Sequence, residues 1–198
     1  MKTFLWTVVV TVGFTFANPL VDELTRPTLA ERVEFAGTGD DFFALALKGP
    51  AVARLTHEGA SNFMVFAFDA DQHRTVLVNE IGAYAGDRPL GFSGDLPVEI
   101  ELKAGGNWTL TVLPLGEVPV GAHQLAGRGS AVLNISAVSG SALSLTHDGE
   151  KNFMVFAWAH GRTVLVNHIG GYSGRMRLPA GTAFLEIVAD GSWSLSIE

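Results

Sequence analysis

Two histidines, His57 and His147, stand in near-identical frames: LTHEGASNFMVFA at 55–67 and LTHDGEKNFMVFA at 145–157. Each is followed by a carboxylate, Glu58 or Asp148, and then by a glycine. An imidazole beside a carboxylate suggests general-base chemistry, which needs the base held near its substrate and oriented by a third group. The spacing argues against that use. Neighbours on an extended strand point to opposite faces, so Glu58 does not orient His57. The competing reading is structural: a strand end enters a glycine turn and the ring bonds to backbone.

Other polar residues repeat in the same way. Asn79 and Asn167 close the two TVLVN runs, where an amide can satisfy a turn's backbone groups or contact a ligand. Tyr84 and Tyr172 sit in Gly-x-Tyr-x-Gly. There a tyrosine serves as a stacking platform for a sugar ring or as a corner residue whose hydroxyl bonds back to the chain. Trp108 and Trp193 fall on the inward alternation and read as core. Acidic clusters in GTGDD (Asp40, Asp41) and DADQH (Asp69, Asp71) make calcium a weak candidate, since calcium takes loop oxygens. The second repeat lacks both clusters, and neither fits an EF-hand loop. No Gly-x-Ser-x-Gly elbow, phosphate loop, dinucleotide fingerprint or His-rich zinc helix is present. The sequons at Asn107 and Asn134 carry little weight.

The elements that position these residues come as a duplication. At an offset of 90, Phe35–Phe68 lies over Leu125–Trp158 without a gap. At 88, RTVLVNEIGAYAG (74–86) lies over RTVLVNHIGGYSG (162–174); at 85, VEIELKAGGNWTLTV (98–112) lies over AFLEIVADGSWSLSI (183–197). The length changes fall in Gly-, Asp- and Pro-rich stretches, as loops tolerate. VEIELKA and NWTLTV alternate apolar and polar residues, and the Asp190-Gly191 turn between their second-copy counterparts reads as a hairpin. NFMVFAF and TVLVN are continuous apolar runs and read as strands that are covered on both faces or sit centrally in a sandwich. No convincing helix appears; TLAERVEF (28–35) could be a first strand.

The expectation is therefore an all-β chain of two tandem antiparallel β-sandwich domains, jelly-roll or immunoglobulin-like. Residues 29–114 form the first, 115–119 (LGEVP) a linker and 120–198 the second, after a lead-in at 18–28. One face differs between the copies. Glu99, Glu101 and Lys103 become Phe184, Glu186 and Val188, which marks Phe184 and Val188 as candidates for an interface with the first repeat or with another chain.

Bulk properties narrow the function. The 198 residues are 47% apolar and 17% charged, enough for a proper core. A net charge of −7 without a basic stripe speaks against nucleic acid and anionic membranes. With no cysteine, disulfides and thiolate chemistry are excluded. MKTFLWTVVVTVGFTFA (1–17) has the form of a cleaved secretory leader. Its removal takes Lys2 away and leaves −8.

The pattern LTH-[ED]-G, NFMVFA, TVLVN-x-IG-x-Y-x-G and DGSWSLSI resembles uncharacterised β-sandwich repeat modules of secreted bacterial proteins and lipoproteins. Jelly-roll accessory domains are similar in general shape only. The resemblance implies no established activity and no catalytic residue. Without a lipobox cysteine it implies a free or otherwise anchored protein. The expected role is that of a non-catalytic secreted or cell-surface module protein acting in binding, adhesion or assembly, with no cofactor. Its expected partner is a protein or glycan at the cell surface. The alternatives are carbohydrate binding through the paired tyrosines, and a secreted hydrolase or inhibitor using His57 and His147.

Overall fold

The structure, a computed structural model, describes residues 32–198. The expected leader and lead-in lie outside the described residues. Strand formation follows alternation. In EIELKA, Ile100, Leu102 and Ala104 are buried while Glu99, Glu101 and Lys103 turn outward, as a period of two requires. The first half holds β1 (Val33–Thr38), β2 (Asp41–Ala44), β3 (Ala51–Glu58), β4 (Asn62–Phe68), β5 (Arg74–Ile81), β6 (Tyr84–Leu90), β7 (Glu99–Ala104) and β8 (Asn107–Pro114). The second holds β9 (Gln124–Arg128), β10 (Ala131–Asn134), β11 (Ala142–His147), β12 (Asn152–Trp158), β13 (Arg162–Ile169), β14 (Tyr172–Arg177), β15 (Phe184–Val188) and β16 (Ser192–Ile197). Among the described residues the only helical turn is 3-10, at Leu115–Glu117.

Each half is a sandwich of two four-stranded antiparallel sheets. In the first the orders are β1-β8-β3-β6 and β2-β7-β4-β5. In the second they are β9-β16-β11-β14 and β10-β15-β12-β13. Adding eight to every first-half strand reproduces the second half, and among the described residues no strand crosses over. Eight strands in this order make a double Greek key, the jelly roll, rather than an immunoglobulin arrangement. Leu55, Trp108 and Leu110 of one sheet meet Phe63, Ile100 and Leu102 of the other in the first core. Leu145, Trp193, Phe153 and Leu185 do the same in the second.

Two sequence expectations are overturned. The Asp190-Gly191 turn does not close a hairpin. β15 pairs with β10 and β12, whereas β16 pairs with β9 and β11. Both strands show the core an apolar face, but from opposite sheets, and the turn carries the chain across. The TVLVN runs are neither covered on both faces nor central, because Val76 and Val164 are exposed and β5 and β13 are edge strands. A β-bulge explains their continuous apolarity. Val65 pairs with Val78 and Phe66 with Val76, so Leu77 is the extra residue. The bulge turns Leu77 and Val78 both inward and leaves Val76 exposed. β13 repeats it at Leu165.

The two halves are joined by more than a linker. Val118 is buried with Val52, Leu113 and Val132 in a third apolar cluster, which Phe92 and Phe184 flank. Phe92 meets Trp158 and Phe184 edge-on, both at 5.3 Å between ring centroids. Burying an aromatic side chain of this kind contributes about 1.5–3 kcal/mol. The Asp87 N–H donates to the Ser130 carbonyl at 3.0 Å. Lys151 pairs with Glu80 at 2.9 Å.

Candidate functional site

The histidines are inside. His57 is 1% exposed, and its ring stacks on Phe63 at 4.6 Å with 2° between the planes. His147 stacks on Phe153 at 4.3 Å. Nδ1 donates to the Gly82 carbonyl in the first copy (2.7 Å) and to the Gly170 carbonyl in the second (3.1 Å). That fixes the proton on Nδ1 and leaves Nε2 as an acceptor. In the second copy the Gly191 N–H donates to Nε2 at 3.3 Å. In the first, Nε2 is buried without a partner among the described residues. The glycine two residues on makes room, since a Cβ at Gly59 or Gly149 would come within 2.6 Å of the imidazole. The His-x-Gly spacing thus encodes packing. His57 and His147 do not stand as ligand contacts, because no ligand reaches a ring that is sealed under its own turn.

The tyrosines are half-buried and tilt against the same phenylalanines, Tyr84 on Phe63 at 5.7 Å and Tyr172 on Phe153 at 5.6 Å. Each hydroxyl lies over the glycine two positions later, Gly86 or Gly174, where a Cβ would collide with it. A ring with one face on the core and its tip over its own strand is not an open stacking platform. The two environments also differ. Tyr84 reaches Ser130 of the other half, and burial pushes its phenol pKa up against the opposing effect of the Arg88 charge.

Asn79 and Asn167 are exposed on β5 and β13. The acidic candidates serve turns. Asp40 accepts from the Ala104 N–H at 3.0 Å, and Asp41 from the Phe42 N–H at 2.9 Å. Asp69 accepts from the Asp71 and His73 N–H groups, both at 2.9 Å. Asp71 stands in that turn. No cluster of three or more potential metal ligands occurs among the described residues.

The interface candidates occupy the seam between the halves. Phe184 sits against Phe92, so its apolar face is covered within the chain. The residue sequence reasoning passed over is Glu186, on the same strand face and 1% exposed. Its carboxylate takes Arg88 of the first half at 3.2 Å, Arg162 at 3.2 Å and the Trp158 indole N–H at 3.2 Å. A buried carboxylate is tolerable only when so compensated. The available signal was its position between Phe184 and Val188, on a face already suspected of being covered.

Two hollows remain. One, about 670 Å³, is an open trough on the outer face of β9-β16-β11-β14. Its hydroxyls bond one another, as Thr146 and Ser194 do at 2.7 Å. The other, about 380 Å³, is a groove between the halves. Residues 76–80 of β5 line one side with Tyr84 and Arg88, and Lys151, Asn152, Met154, Val188 and Asp190 line the other. Leu77 and Val78 send their side chains into the core, so their backbone faces this groove. At Asp190, burial opposes the charged form, but the N–H groups of Glu150 and Lys151 outweigh it and hold the carboxyl below its usual range. Of the duplicated asparagine and tyrosine pairs 79/167 and 84/172, Asn79 and Tyr84 line the groove; Asn167 and Tyr172 do not.

No family model and no curated protein matches the chain. Among solved structures it is similar to the protein YhaK from Escherichia coli at 11% identity and a TM-score of 0.27, over 84% of this chain and 83% of that one. That likeness is too loose to bear on fold or function.

Proposed function

We propose that the chain is a non-catalytic secreted or cell-surface β-sandwich protein that works by binding, in adhesion or assembly, and needs no cofactor. The observation that supports this is the fate of the duplicated histidines. The groups best suited to acid–base chemistry lie under their own turns in both copies, with Nδ1 bonded to a carbonyl. Proton transfer to a substrate requires hydrogen-bond reach. The leader-like residues 1–17 favour work outside the cell, at a protein or glycan partner.

The test is co-sedimentation of the labelled protein with isolated bacterial cell-envelope polysaccharide and envelope protein fractions. Mass spectrometry of those fractions is followed over time. Saturable binding to one fraction, unchanged by a chelator and with no new product, is the expected result. Time-dependent conversion of any component, or no saturable binding to either fraction, would contradict the proposal.

A further inference from the structure

We infer that the groove between the two sandwiches is a binding site for a neutral, polyhydroxylated ligand of carbohydrate type, one site per chain rather than one per repeat. The inference rests on the binding reading above and gives it a place and a chemistry.

Three observations converge. The first is the unpaired backbone. β5 is an edge strand, and among the described residues it pairs only with β4. Residues 76–80 line the groove, and Leu77 and Val78, whose side chains point into the core, line it through their backbone. Main-chain donors and acceptors are strong groups that seek partners. The second is charge. Two acids, Glu80 and Asp190, stand against two bases, Arg88 and Lys151. Lys151 already pairs with Glu80, and Arg88 with Glu186. A balanced site of this kind favours neither anion nor cation, while its amides and charged groups offer hydrogen bonds in both directions. The third is the wall. Val76, Met154 and Val188 add an apolar surface, which suits the C–H face of a sugar ring. The volume of about 380 Å³ lies at the small end of ligand pockets, about 300–1,000 Å³.

An open strand edge also suggests an extended peptide added as a further strand. The bulge at Leu77 decides against it. An extra residue breaks the regular spacing of donors and acceptors that a ladder requires, and bulged edges are a device against strand addition. A compact ligand with hydroxyls at several angles suits the irregular edge better.

The duplication supplies the control. Asn79 and Asn167 are equivalent in sequence and both exposed, but only Asn79 lines the groove. The experiment titrates the 15N-labelled full chain with cellotriose, maltotriose, mannotriose and chitotriose. Trigalacturonate forms an anionic arm and a capped tetra-alanine a peptide arm. The expected result is binding of at least one neutral trisaccharide, with amide shifts at 76–80, 151–152 and 188–190. Asn79→Ala and Asn152→Ala should each weaken it about three- to tenfold, the loss of one hydrogen bond. Asn167→Ala should leave it unchanged, and thermal melting confirms that all three variants fold. Silence from all four neutral sugars, preference for the anionic or peptide arm, shifts elsewhere, or equal losses in Asn79→Ala and Asn167→Ala would overturn the inference. Envelope binding that survives Asn79→Ala and Asn152→Ala would sink the groove site while leaving the broader binding function intact.

Discussion

At the scale of single residues, the duplicated motifs are instructions for packing. LTH[E/D]G places an imidazole flat on a phenylalanine, over a glycine and under a carbonyl. His57→Ala should therefore destabilise the protein by about 2–4 kcal/mol, the range for truncating a packed, hydrogen-bonded core side chain. Urea unfolding reads that loss, and envelope binding per folded molecule should not change. Asp190 makes a pH-dependent contribution in the second copy only, since Gly105 holds its place in the first. Its folded pKa lies below the unfolded value of about 3.9. Its stabilisation is therefore complete above that value and disappears as pH falls through the folded pKa. The stability difference between the protein and Asp190→Asn should accordingly be constant from neutral pH down to about 5 and close in more acid solution. A difference that persists at low pH would refute the assignment. The structural role of the histidines was legible in the sequence, because Glu58 could not orient His57 from the opposite strand face. The partner of each ring, a carbonyl about 25 residues away, was not, since it depends on which sheets the strands join.

At the scale of elements, the sequence announced the strands but not their sheets. Alternation in EIELKA and NWTLTV identifies two half-buried strands, and it reads the same whether they pair or face each other across a core. The Asp-Gly turn favoured pairing, and the jelly roll places β7 and β8 in different sheets. TVLVN misled for another reason. Without register, a bulge that turns two consecutive residues inward looks like a strand buried on both faces. The bulge turns two consecutive side chains, Leu77 and Val78, into the core, so both should matter. Leu77→Ala should cost about 2–4 kcal/mol, as a buried leucine does. Val76→Ala, on the exposed side, should change stability by no more than about 0.5 kcal/mol. Val78→Ala, at the residue after Leu77, should cost about 1–3 kcal/mol as well, and a loss in thermal unfolding at Leu77 alone would mean that the strand is not bulged.

At the scale of the whole molecule, the copies have diverged where they meet. Phe184 and Glu186 of the second half face Phe92 and Arg88 of the first. The equivalents of Phe184 and Val188 are Glu99 and Lys103, and the equivalent of Arg88 is Met176. Docking is therefore one-way, and the pair does not propagate into an array. The apolar substitutions at 184 and 188 made a covered face legible from sequence. The groove was illegible, because it exists only once the halves are placed. Glu186→Ala leaves Arg88 buried without its carboxylate and should cost about 3–5 kcal/mol. An Arg88→Leu, Glu186→Met pair should recover most of that loss in calorimetry. Everything proposed about the groove depends on a fixed relation between the sandwiches. Residual dipolar couplings of the weakly aligned full chain test that relation most directly. One alignment tensor should fit the strands of 33–114 and 124–197 together, and two tensors of different orientation or magnitude would contradict the account.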